Sequence, residues 1–265
     1  MILYKYYDAV GGKHALNSRK LGFRTPTFFN DPFELTALSN GNGPLGKQDT
    51  LRMQIQALKE QVVILSLTRS PLNPLMWAHY AREHTGIVIA YDVSGDFLNS
   101  QDYNLIPADS GDVIYTHTKS PFNLTPQTMQ ALLNVYQQGF GAPGPATYEH
   151  QAIARRLFLT KHASWVYEEE VRVVKIAHSL FDEEHLFQGD PFRANDTGGH
   201  LPEGLYLYGK RMPITGVYLG VKNTLLRDPV ERSKLEALAC PIYQLEVDDA
   251  SWQLVANLMN FANEV

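Results

Sequence analysis

The sequence predicts an α+β fold with a mixed, mostly antiparallel β core flanked by helices. Three observations carry that expectation. Short apolar or alternating runs, QVVILSL (61–67), GIVIAYDV (86–93) and EVRVV (170–174), have the length and composition of strands. Stretches of helical composition lie between them, in an order that is not a regular βαβ alternation. No glycine fingerprint follows the first strand, which argues against a doubly wound dinucleotide fold. The chain shows no internal repeat and no low-complexity linker, so residues 1–265 read as a single domain.

Taken in order, Ile2–Tyr7 is β-prone, with Gly11-Gly12 as its stop. Residues 13–22 have the composition of a short helix, followed by a short strand around Phe23. Ser39–Gly46 reads as a loop and Gln48–Glu60 as a helix. Gln61–Leu67 reads as a buried strand. Asn73–Glu83 reads as a helix opened by Pro74, with the next strand beginning at Gly86. Asp112–Tyr115 is a short strand, Thr125–Gln138 a helix, GFGAPGPATY a loop and Tyr148–His162 a second helix. Phe181–Pro202 is polar and aperiodic, the pattern of a long loop or lid. Leu205–Tyr208, Ile214–Leu219 and Ile242–Val247 are strands, with a helix at Asp228–Leu238 and another after Asp249.

Hydrophobic residues make up 44% of the chain and charged residues 19%, ample for a packed core. The net charge of −5 argues against a broad electrostatic grip on nucleic acid, though not against a small basic groove. A single cysteine, Cys240, excludes an intrachain disulfide and a cysteine-based zinc site, and suits a reducing compartment. MILYKYYDAVGGKH has no signal-peptide pattern and no segment has the length of a membrane span, so a cytoplasmic protein is expected.

Three clusters carry candidate chemistry. FFNDPFE (28–34) is turn chemistry, in which Asn30 and Asp31 bond local backbone and Pro32 fixes φ. Its other reading sends Asn30 and Asp31 into a cleft as ligand contacts. In SLTRSPLNPLMWAHYAREHTG (66–86), Ser66 and Thr68 share one face of a strand end, to hydrogen-bond a ligand or to satisfy the strand. On the helix that follows, Trp77, His79 and Tyr80 form either core packing or the lining of a pocket for a flat ring. His79 and His84 are five apart, the wrong spacing for a zinc pair, so no metal is expected.

KHASWVYEEEVRVV (161–174) is the most informative cluster. As a strand from Glu168 onward, its period of two places Glu168, Glu170 and Arg172 on one face. A solvated face is the commoner cause of such a row. A catalytic strand is the other, with the carboxylates stabilising an oxocarbenium ion and holding a ribose hydroxyl, and Arg172 keeping its neighbour ionised.

LYKYY, FFNDPFE, SLT with LMWAHYAREHTGIVIAYD, and KHASWVYEEEVRVV, in that order, resemble the bacterial domain of unknown function 2971 family. The likeness runs from Leu3 to about Leu219, and the family name implies no activity. A second resemblance is to the ADP-ribosyltransferase superfamily, through Tyr4-Lys5-Tyr6, Ser66-Leu67-Thr68 and Glu168-Glu169-Glu170, although Lys5 replaces Arg or His and Leu67 replaces Thr. It implies split sheets and NAD as substrate. Glu170 would then stabilise the oxocarbenium ion and Glu168 orient the acceptor or ribose. Ser66 and Thr68 would support the glutamate, Tyr4, Lys5 and Tyr6 contact the dinucleotide, and Trp77 or Tyr80 stack on nicotinamide. By analogy such an enzyme is a toxin or phage-defence effector that modifies nucleic acid or protein. Two other readings stay open. One is a non-catalytic nucleotide- or partner-binding module. The other is a metal-independent nuclease with His79 as base and Lys161 or Arg172 on phosphate.

Overall fold

A computed structural model describes residues 1–37, 53, 55–101, 104–119, 125, 127, 130–131, 134, 148–176 and 202–261. The loops expected at 39–46 and 139–147, and residues 181–201 of the expected lid, lie outside the described residues. Of the expected helices 48–60 and 125–138, residues 53 and 55–60, and 127, 130, 131 and 134, are helical.

The fold is α+β, built on a mixed, mostly antiparallel sheet. Its strands are β1 (Ile2–Tyr7), β2 (Gly22–Arg24), β3 (Val62–Thr68) and β4 (Ile87–Asp92). They are joined by β7 (Glu170–Ile176), β8 (Leu205–Leu207), β9 (Ile214–Leu219), β10 (Ile242–Val247) and β11 (Leu254–Leu258). The order is β11-β10-β9-β4-β1-β3-β2-β8, with β7 also on β3. Every pair is antiparallel except β9 with β10. A separate parallel pair joins β5 (Ile114–Thr116) to β6 (Thr160–His162).

The helices are α1 (Ala9–Ser18), α2 (Pro74–Tyr80), the one-turn α3 (Asp96–Asn99), α4 (Tyr148–Phe158) and α5 (Pro229–Glu236). Asn73 caps α2, its side chain accepting from the backbone N–H groups of Leu75 and Met76.

β3 decides the architecture. Val62 to Leu65 are each 1% exposed or less, because the run is covered on both faces. β7 takes one edge of β3 along its whole length, from Val62↔Ile176 to Thr68↔Glu170. The other edge is shared: β1 meets it only at Tyr4↔Thr68, and β2 only at Arg24↔Ile64. Between those two points the sheet splits, and Ser66 sits at the split. Its backbone carbonyl accepts from Lys5 Nζ at 3.0 Å instead of from a neighbouring strand.

Several expected boundaries move, each for a local reason. Gly11-Gly12 does not end β1 but lies inside α1. There Gly12 packs against Ile87, whose Cδ1 would stand 2.7 Å from a Cβ at that position. The helix expected to reach Glu83 ends at Tyr80, because Arg82, Glu83 and His84 all take positive φ. The one expected to reach His162 stops at Phe158, and Thr160–His162 pairs with β5 instead. The segment after Asp249 is strand β11, not a helix, because ladder pairing to β10 outweighs its composition.

The third cluster also differs from expectation. Glu168 ends a 3-10 helix, Ala163–Glu168, and the strand starts only at Glu170. Glu169 between them takes a left-handed conformation (φ 44°), which returns both flanking carboxylates to the same side. Nor is the row a solvated face. Glu168, Glu170 and Arg172 are 4%, 5% and 0% exposed.

Candidate functional site

The split along β3, between its contacts with β1 and β2, opens into a cavity of about 790 Å³, within the range of small-molecule and cofactor sites. Tyr4, Lys5 and Tyr6 enter it from β1, and Ser66 and Thr68 from β3. His79 and Tyr80 come from the end of α2, Asn30 from the Asn-Asp-Pro turn ahead of β3, Glu168 from the end of the 3-10 helix Ala163–Glu168, and Glu170 from the start of β7. The sequence reading brought these ten residues forward from separate clusters, and the fold collects them on one wall system.

Three further candidates are not among the lining residues. Asp31 is 4% exposed and makes a turn, its carboxylate accepting from Phe33 N–H at 2.9 Å. Trp77 is fully buried, edge-on to Tyr6, with its indole N–H donating to Pro71 O at 2.7 Å. It therefore lies in the core and not where a nicotinamide ring could stack. Replacing Trp77 with Phe removes that donor and strands the Pro71 carbonyl. A loss of about 1–3 kcal/mol in chemical denaturation is expected, with ligand affinity unchanged. Arg172 lies beneath the cavity.

Arg172 organises the carboxylates. Its guanidinium meets Glu34 at 2.5 and 3.1 Å, Glu170 at 2.9 and 3.1 Å, and donates to Phe158 O at 2.7 Å. Two bidentate pairs on one planar fork are geometry that only arginine supplies. Lys161 Nζ then bridges the other pair, at 2.5 Å from Glu168 and 3.2 Å from Glu170. Tyr80 donates to Glu168 at 2.5 Å and accepts from Asn30 at 3.4 Å. The backbone N–H of Glu170 donates to Tyr115 Oη at 2.9 Å. Three carboxylates thus face two cations.

The two cavity carboxylates are driven apart electrostatically. Burial pushes Glu170 upward, but the charges of Arg172 and Lys161, with hydrogen bonds from Arg172 and Ser66, outweigh it. The result is a pKa of about 2, so Glu170 is firmly ionised. Glu168 goes the other way. Burial and the adjacent negative charge of Glu170 raise it, and the bonds from Lys161 and Tyr80 offset only part of that. The two neighbouring carboxyl groups are thus shifted in opposite directions.

On the other side, burial pulls Lys5 down to about 8, with Glu170 opposing and Arg24 reinforcing the shift. Lys5, Ser66 and Glu170 form a continuous chain: Lys5 holds the Ser66 carbonyl and the Ser66 side chain bonds Glu170.

Sequence reasoning underrated several residues. Lys161 and Glu34 complete the ion network, and Arg24 and His14 line the cavity. The signal for Arg24 was its place in the short strand after a helix. Nothing in the sequence linked Glu34 to Arg172. Lys161 and Arg172, the phosphate-holding residues of the nuclease reading, are each paired with carboxylates. Among the described residues no group of three or more His, Cys, Asp or Glu could hold a metal ion, and no helix is long and apolar enough to cross a membrane.

No curated protein and no solved structure matches the chain. Residues 76–173, which run from α2 through Glu168, Glu170 and Arg172, match the model of a family described as a protein of unknown function (DUF2971).

Proposed function

We propose that the cavity binds NAD⁺ and transfers its ADP-ribose to a macromolecule, with Glu168 as the working carboxylate and Glu170 as its fixed support. The observation that carries this reading is the carboxylate pair at the split of the sheet, on a cavity that Lys5 also lines. NAD⁺ is itself bipolar, a cationic nicotinamide riboside joined to a pyrophosphate. A cavity lined by both carboxylates and a cation complements both halves.

In the reaction, the bond between ribose C1′ and the nicotinamide nitrogen breaks. Its electron pair leaves with nicotinamide, and the ribose becomes oxocarbenium-like. The ionised carboxylates stabilise that charge where it develops. The acceptor hydroxyl or amine then attacks C1′ and gives up its proton. Glu168, with its raised pKa and its place on the cavity wall, is suited to take it. Glu170 is less suited, since the bidentate contact with Arg172, added to the charge of Lys161, holds its pKa at about 2, whereas among the described residues Glu168 is engaged only by Tyr80 and Lys161. The role inferred for such an enzyme in a bacterial cytoplasm is that of a toxin or phage-defence effector.

The same engagement of Glu170 favours one other reading, a non-catalytic module that senses a nucleotide in this cavity. Nicotinamide release from NAD⁺ by the purified protein separates the two, with nucleic acid and cell lysate offered as acceptors. Release that falls about 10²–10⁴-fold in Glu168→Gln is expected for the transferase. NAD⁺ binding without release, in wild type and variant alike, would leave only the sensor.

A further inference from the structure

The cavity lining also carries a second, unassigned charge cluster. Lys5 on β1, His14 on α1 and Arg24 on β2 all line the cavity. They come from three successive elements, brought together because β1 and β2 diverge across β3. Arg24 and His14 are exposed, and Lys5 is half-buried. Arg24 forms no ion pair among the described residues, and Lys5 spends one donor on the Ser66 carbonyl.

The groups that face Lys5 are few. Glu170 on β7 attracts it, and Arg24 on β2 repels it. The Tyr7 ring on its own strand lies 6.0 Å from its Nζ. Farther along the lining are Glu168 and Lys161, already joined to each other, with Asp8, His14 and Lys20 toward α1. The side chain of Asp8 is engaged in capping α1, accepting from Gly11 N–H at 2.6 Å. Two like charges therefore converge on one hollow where the nearest carboxylate is already held by Arg172 and Lys161. That arrangement is costly empty and favourable around an anion.

We propose that Lys5, Arg24 and His14 form an anion clamp for a pyrophosphate group, the two phosphates that join the halves of a dinucleotide. The ligand class rests on reading the cavity as a dinucleotide site, but the clamp itself needs no turnover. Binding also carries a proton. An anion beside Lys5 favours its charged form, so at pH 8, where Lys5 is about half protonated, the complex takes up close to half a proton.

The test is calorimetric titration of the full chain with inorganic pyrophosphate at pH 8, in two buffers of different ionisation enthalpy. Wild type is expected to take up about half a proton more per anion than Lys5→Arg, since any proton exchanged by the anion itself is common to both. Arg24→Gln, at an exposed position where folding is not at stake, is expected to weaken binding about tenfold or more. Lys5→Arg keeps the charge but does not titrate near pH 8, so it is expected to retain affinity and lose that part of the proton uptake. A merely structural lysine would not produce that split. Absence of pyrophosphate binding, or affinity unchanged in Arg24→Gln, would overturn the clamp. Because the probe is not NAD⁺, a protein that binds pyrophosphate but releases no nicotinamide would refute the transferase and leave the clamp standing.

Discussion

Arg172→Met is expected to cost about 3–5 kcal/mol of folding stability, enough to unfold a typical domain partly at 37 °C. The argument is one of stranded charge. Arg172 is fully buried and meets Glu34 and Glu170, themselves 4% and 5% exposed. Removing it leaves two carboxylates without water and without their main counter-ion. Lys161 reaches Glu170 at 3.2 Å, but no ion pair other than the one with Arg172 reaches Glu34 among the described residues. Two companions make the result diagnostic. Arg172→Lys supplies a point charge that cannot grip two carboxylates at once, so it is expected to lose an intermediate amount. Adding Glu34→Gln to Arg172→Met is expected to recover about 1 kcal/mol or more, since one of the stranded charges is then gone. Urea denaturation reads all three. A loss below about 1 kcal/mol for Arg172→Met would mean that the network is solvated in solution.

How much of this was legible beforehand depends on whether the signal was local. β3 and β4 could be read because a continuous run of Val, Ile and Leu has one economical solution, a strand covered on both faces. The turn at Asp31 could be read because Asn-Asp-Pro bonds its own backbone. The ion network could not. Alternating charge on EEEVRVV has the same period whether the polar face meets water or meets other charges. The residue that decides between them, Glu34, is 138 positions from Arg172. Burial of Glu168, Glu170 and Arg172 is thus a property of the assembled fold. Trp77 shows the converse. Its composition context, aromatics beside a histidine, suits a ligand wall and a core equally, and its place in the core follows from how α2 packs on β1.

The two cavity glutamates should respond to neutralisation with opposite signs, and that difference is the sharpest test of which one does work. Glu170 has a folded pKa of about 2 against 4.5 for an unperturbed glutamate. Its ionised form therefore stabilises the fold by about 3 kcal/mol. This contribution is fully present above about pH 4.5 and disappears as the pH falls toward 2. Glu170→Gln is thus expected to lose about 3 kcal/mol at pH 7, with the difference from wild type closing in strong acid. Glu168 has a raised pKa, so its ionisation opposes folding at neutral pH and the strain is relieved as the pH falls through its folded pKa toward 4.5. Glu168→Gln resembles the protonated form and can keep a contact with Tyr80. It is expected to be at least as stable as wild type at pH 7, with any advantage fading as the pH falls toward 4.5. Denaturation profiles of the three proteins between pH 3 and 8 provide the comparison. A cost of ionisation at Glu168 would fit the trade between stability and activity that the proposed transferase implies. If Glu168→Gln instead loses several kcal/mol at pH 7, both glutamates are structural, and the catalytic assignment fails with them.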